Sequence, residues 1–169
     1  MARRSSHPNS QELGGPAGAL SPSLSAHSSN DVYADEPWLT IRWDHERKFV
    51  HAEWKGFCNS SQFRDGTLKI LAAIRDRHSA SLVSDNRRLE GVIDQDQLWL
   101  RDTWVPVAVA AGLRRIAVLV AHQGLGKIAS QEIIGRFGET AFVTRMFESE
   151  HEAQSWAAGD EVSLDARAI

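Results

Sequence analysis

Ser84 and Asp85 lie together where an apolar stretch turns polar, and His122 lies at the end of a second such stretch, so the chain holds the residue types of a Ser-His-Asp centre. A serine nucleophile needs an imidazole to take its proton and a carboxylate to orient that imidazole. It also needs a strained turn that exposes the hydroxyl, and no Gly-x-Ser-x-Gly elbow surrounds Ser84. A small hydrolase or transferase using Ser84, Asp85 and His122 is therefore the second reading, and recognition without catalysis is the first. Arg87 and Arg88 can grip a carboxylate or phosphate through bidentate bonds, with Asp85 and Asn86 ordering the loop. The plainer account has Asp85 and Asn86 bonding their own turn's amides and Arg87 pairing an acidic neighbour such as Asp94. Gly124-Leu125-Gly126-Lys127 can offer backbone amides and an ammonium group to a phosphate. The Walker spacing fails, because Ala121 and Ile128 stand where a glycine and a Ser or Thr are required, and an ordinary turn is favoured. Asp85 as a receiver-like phosphoacceptor lacks the acidic pair that would hold magnesium.

These residues need a sheet to bring them together. Leu39, Ile41 and Trp43, then Val50, Ala52 and Trp54, alternate with polar positions around Asp44-His45-Glu46-Arg47, which predicts an antiparallel hairpin with those six residues on its core face. Asn59 and Gln62 make a capping box for an amphipathic helix to about residue 77, with Gly66 inside it at a cost of roughly 1 kcal/mol unless a neighbour packs closely. A strand over 80–84 feeds a polar loop at 84–88. Asp94 then caps a helix in which Trp99 and Trp104 cannot both share a face with Leu98 and Val105, so part of its apolar surface should meet something besides the sheet, either further core or a dimer partner or lipid-like ligand. Pro106 should kink that helix or start a second one. The apolar run 116–121 reads as a central strand with a polar exit at 122–127. A helix ending at Gly138, a strand over 142–147 and a Ser149-capped helix complete the order ββαβαβαβα. Both polar exits leave parallel strands at one edge, where ligands of open α/β sheets gather, and should border one shallow pocket.

The bulk numbers restrict the partners. The 169 residues carry a formal charge of −3 from 19 basic and 22 acidic side chains, so nothing draws the whole molecule to nucleic acid. No apolar run reaches the roughly 18 residues of a membrane span. A single cysteine, Cys58, excludes an internal disulfide and makes a reducing, cytoplasmic setting the simpler expectation. The 7 histidines show no metal-ligand spacing, and no cofactor is expected. Residues 1–36 are rich in Ser, Ala, Pro and Gly and read as a disordered tail, with a domain over 37–158 and a frayed end at 159–169.

Several short stretches resemble a known family: Trp54-Lys55-Gly56-Phe57, Ser84-Asp85-Asn86-Arg87, Trp104-Val105-Pro106 leading to Ala110-Ala111-Gly112-Leu113, and the apolar strand from Ile116. In order and spacing they are similar to the small bacterial SpoIIAA-like proteins, related to STAS and CRAL-TRIO domains. The resemblance covers nearly all of the expected domain and none of the tail. It implies a STAS-like mixed α/β sheet, homodimers or a regulatory protein partner, or a small apolar or anionic ligand, and a non-enzymatic role. Anti-anti-sigma STAS proteins carry a phosphorylated serine in an Asp-Ser-Ser/Thr-Gly signature at the equivalent strand end. Here Asp85 is followed by Asn86 and Arg87, with no Ser, Thr or Gly, which removes the basis for a phosphoswitch. Ser84, Asp85, Asn86, Arg87, Arg88, His122, Gly124, Gly126, Lys127, Trp99 and Trp104 remain as candidates for ligand or partner contact.

Overall fold

A computed structural model describes residues 30–138 and 142–159. Period-two alternation builds its first half: strands β1 (Asn30–Glu36), β2 (Leu39–Asp44) and β3 (Phe49–Gly56) run antiparallel. Helix α1 (Ser60–Asp76) carries the chain to β4 (Ser81–Leu89), which lies parallel to β3. Helix α2 (Asp94–Trp99), a π-helical turn (Leu100–Trp104) and α3 (Val105–Ala110) lead to β5 (Arg115–Leu119). Helix α4 (Leu125–Phe137) leads to β6 (Val143–Phe147), and α5 (Glu150–Ala158) ends the described chain. The six strands lie in sequence order across one sheet. Each right-handed crossover therefore steps the same way and leaves its helices on the same face.

The hairpin residues named from alternation all enter the larger core. Leu39, Ile41, Trp43, Val50, Ala52 and Trp54 are buried against α1 and the helices that follow. On the opposite face a smaller core of Phe49, Val83, Ala117 and Leu119 is covered by Ala153 and Ala157 of α5. The capping box is present, with Asn59 Oδ1 accepting from the Gln62 amide and Gln62 Oε1 from the Asn59 amide, both at 3.0 Å. Gly66 is explained by contact: a Cβ there would lie 2.8 Å from both Leu39 Cδ2 and Trp54 Cη2. The helix approaches the sheet at the one position that has no side chain.

Three expectations are corrected. The sheet begins at Asn30, so the observed order is βββαβαβαβα and the boundary expected at residue 37 falls after a strand, not before the first one. Composition hid that strand, because NDVYADE buries little of its own; side chains bind it, with Thr40 Oγ1 donating to Asp35 at 2.7 Å, Tyr33 Oη to Asp76 at 2.5 Å and Lys69 to Glu36. The supposed loop at 84–88 is part of β4, paired with β3 through Arg88 and Leu89 across a register shift. Asp94 does not cap α2; it bonds Arg136 Nη2 at 2.8 Å, and the cap position is Ile93 with no side-chain bond. At Pro106 a second helix does start, as expected, with the proline one place later than its first residue. The preceding helix widens into the π turn just ahead of it. Residues 1–29 of the expected tail and 160–169 of the expected frayed end lie outside the described residues, and Gly159 is the left-handed cap of α5.

Candidate functional site

Strand β4 divides the sequence-predicted residues between two faces, because successive side chains point oppositely. Ser84 and Asn86 face the helices, while Asp85 and Arg87 face α5. On the helix side Ser84 Oγ donates to Asn86 Oδ1 at 2.8 Å, Asn86 Nδ2 donates to Ser130 Oγ at 2.8 Å, and Ser130 Oγ donates to the Gly126 carbonyl at 2.6 Å. This polar line forms part of the wall of an otherwise apolar cavity of about 70 Å³ between sheet and helices. The rest of the wall includes Trp54, Phe63, Leu89, Leu100, Trp104, Val118, Ile133 and Phe137. A single water needs roughly 10–15 Å³ on this measure, so the space exceeds one water several-fold.

The wall owes its shape to two local features. In the π turn the Val105 amide bonds the Leu100 carbonyl, five residues back, and the widened backbone sets both Leu100 and Trp104 over the cavity. Trp104 Nε1 donates to the Thr67 carbonyl at 2.7 Å, which ties the turn to α1. On the other side α4 presses on β4 through Gly126, where a Cβ would fall 2.1 Å from the Asn86 carbonyl oxygen. Gly124 caps α4 at φ 131°, a conformation open to glycine. The two glycines of the exit loop are thus accounted for by helix approach and backbone conformation.

On the α5 side Arg87 holds Asp85 in a two-pronged pair, with Nε at 3.0 Å from Oδ1 and Nη2 at 2.6 Å from Oδ2, and reaches Glu150 at 3.0 Å. The carboxylates hold the guanidinium above its ordinary range. Arg87 thus pairs acidic neighbours, as the plainer account expects, though they are Asp85 and Glu150 and not Asp94, and Asp85 Oδ1 also accepts from the Arg87 amide at 3.1 Å. Arg88 is 67% exposed and lies 3.7 Å from Glu53. Arg87, Arg88, Lys55 and Gly126 border one groove of about 370 Å³ at the carboxyl edge of the sheet, with His122, Gly124 and Lys127 outside its lining. His122 Nδ1 and Lys127 Nζ both meet Glu148, at 2.9 and 2.8 Å. Their hydrogen bonds hold the Glu148 carboxyl down at about 2.

No family model, curated protein or solved structure matches the chain. The site therefore rests on geometry alone. The structure does not bring Ser84, Asp85 and His122 together as a triad: the hydroxyl bonds Asn86, the carboxylate bonds Arg87 on the far face, and the imidazole bonds Glu148. Trp104 is buried in the core, and Trp99 lies under Arg64, whose guanidinium carbon is 5.2 Å from the indole centroid. The surplus apolar helix face expected for a partner is largely used within the chain. Among the described residues no three of His, Cys, Asp or Glu are grouped to hold a metal ion, and no helix is long and apolar enough to cross a membrane. Burial and the charge of Asp96 push the Cys58 thiol up to about 11, which keeps it protonated and unreactive at neutral pH.

Ser130 escaped the sequence reading. For Ser130 a signal existed, since a serine inside a helix three residues before Ile133 and four after Gly126 lies on the apolar face, where its hydroxyl must find a backbone carbonyl.

Proposed function

We propose that this protein is a non-enzymatic binding module of STAS-like type, with a regulatory role, that takes up a small apolar ligand between its sheet and its helices. The observation that carries this reading is the cavity at Ser84 and Asn86, apolar except for one hydrogen-bonded line and bounded by a π-helical turn. Interior packing elsewhere leaves few voids larger than a water, and π turns within α-helices recur at functional sites. The anionic-ligand reading has less support, because Lys55, Arg87 and Arg88 each already face a carboxylate. A hydrolase is disfavoured because Ser84 is a link in an internal chain and no imidazole bonds its oxygen.

Toluene is the direct probe. Titrated into the protein, it should raise the melting temperature in a saturable way and change the fluorescence of Trp54 and Trp104, both of which line the cavity. Absence of both effects up to the solubility limit of toluene would remove the basis for a binding role at this place.

A further inference from the structure

The hydrogen-bond line in the cavity has only one possible direction, and that direction selects the ligand. The Gly126 carbonyl can only accept, so the Ser130 proton must point to it across 2.6 Å. Ser130 Oγ then has no proton for Asn86 and must accept, at 2.8 Å, which assigns the nitrogen end of the Asn86 amide to Ser130. The carbonyl end of that amide therefore faces Ser84, and an amide oxygen carries no proton, so Ser84 donates to it at 2.8 Å. Ser84 has used its single proton. What it has left for the cavity are lone pairs, and Asn86 has one spare amide hydrogen.

We infer that the cavity is built for a small, neutral, hydroxyl-bearing apolar molecule, an alcohol for which phenol serves as the largest probe, whose O–H donates to Ser84 Oγ. This rests on the reading of the cavity as a binding site and names its ligand class. A hydroxyl donates to Ser84 and keeps a lone pair for the spare Asn86 hydrogen, so the two positions of the line left open are both satisfied. An ether or ketone can use only the second, and a carboxylate would bring a charge into apolar walls and set its oxygens against the lone pairs of Ser84. Ser84, Asn86 and Ser130 act together, since the backbone carbonyl of Gly126 orients all three.

The test compares phenol, toluene and benzoate by calorimetry and thermal shift in the wild-type protein and in Ser84→Val, which fits a strand and leaves no acceptor at that point. Phenol and toluene should both bind the wild type, and benzoate should not. In Ser84→Val phenol should weaken roughly tenfold or more while toluene stays within about threefold, the comparison with toluene cancelling any change in cavity volume. Toluene binding with no phenol binding in the wild type would overturn the inference and leave the binding role intact. Failure of both ligands would overturn both. Benzoate binding as tightly as phenol would also refute the assigned polarity, and this outcome needs no variant to fold.

Discussion

Single side chains here have duties that differ from those their types suggest. Arg87 looks like an anion hook, yet its guanidinium neutralises Asp85, whose side chain is only 5% exposed, so removing it would strand a buried carboxylate. On the same face of the sheet His51 carries a different burden. Its Nε2 is buried without a hydrogen-bond partner, and burial holds the imidazole below its ordinary 6.5, although Asp85, Glu150 and Glu53 pull it back and Arg42 opposes them. The unfolded chain takes up this proton near pH 6.5 and the folded chain takes it up lower, so the unfolded state binds more protons in between. Stability that is full above pH 6.5 should decline as pH falls below it toward the folded value. Replacing His51 by Val, a residue suited to a strand interior, should flatten that part of the curve of unfolding free energy against pH. Parallel curves for wild type and variant would show that burial is not what holds the imidazole neutral.

Among the elements, the helix before β5 is the one whose form depends on a single residue. Pro106 has no amide hydrogen for the Asp102 carbonyl, and its ring would collide with that carbonyl in a regular helix. The π turn ending at Trp104 opens the backbone just there, and the same widening sets Leu100 and Trp104 as a cavity wall. Deleting the exposed Thr103 should return the turn to α-helical spacing. The collision with Pro106 then costs about 3 kcal/mol, which corresponds to a fall of roughly 10 °C in Tm for a domain of this size. Toluene stabilisation should vanish with it. Adding Pro106→Ala to the deletion should recover most of the lost Tm without restoring ligand binding; if the deletion alone leaves Tm unchanged, the turn is not an accommodation of Pro106.

For the whole molecule, the sequential strand order decides where the exposed edges fall. All connecting helices lie on one face, α5 covers β4 to β6 on the other, and β1 is left at the edge of the antiparallel half. That strand is joined to β2 by six register pairs and to its surroundings by Asp35, Glu36 and Tyr33. Its acidic residues also suit an edge, since charge there discourages pairing with other chains. A chain starting at Pro37 should therefore melt about 10 °C or more below one starting at Asn30, a loss of roughly 3 kcal/mol. Equal melting temperatures would mean that β1 adds nothing to the fold.

Much of this architecture was legible without coordinates. Alternation over 39–54 named the core face of the hairpin, because the strand period is two whatever lies opposite. The Asn59 and Gln62 box is a contact between residues three apart and is complete within its own helix. Gly66 announced a close approach without saying to what, whereas Gly126 read only as part of a phosphate-loop-like or ordinary turn. The strand character of 84–88 and of 30–36 was not legible, because polar residues join a sheet when a neighbouring strand supplies the backbone bonds and salt bridges absorb the charge, and those partners are distant in sequence. Nor was the cavity: Ser130 lies 44 residues beyond Asn86 along the chain, and only the pressing of α4 onto β4 at Gly126 joins it to Ser84 and Asn86 in one line. The sequence by itself determined which faces of the hairpin and α1 are apolar and where α1 and α5 start. Tertiary structure alone decided that Ser84 and Asp85, neighbours in sequence, act on opposite sides of the sheet, because a strand sends adjacent side chains apart.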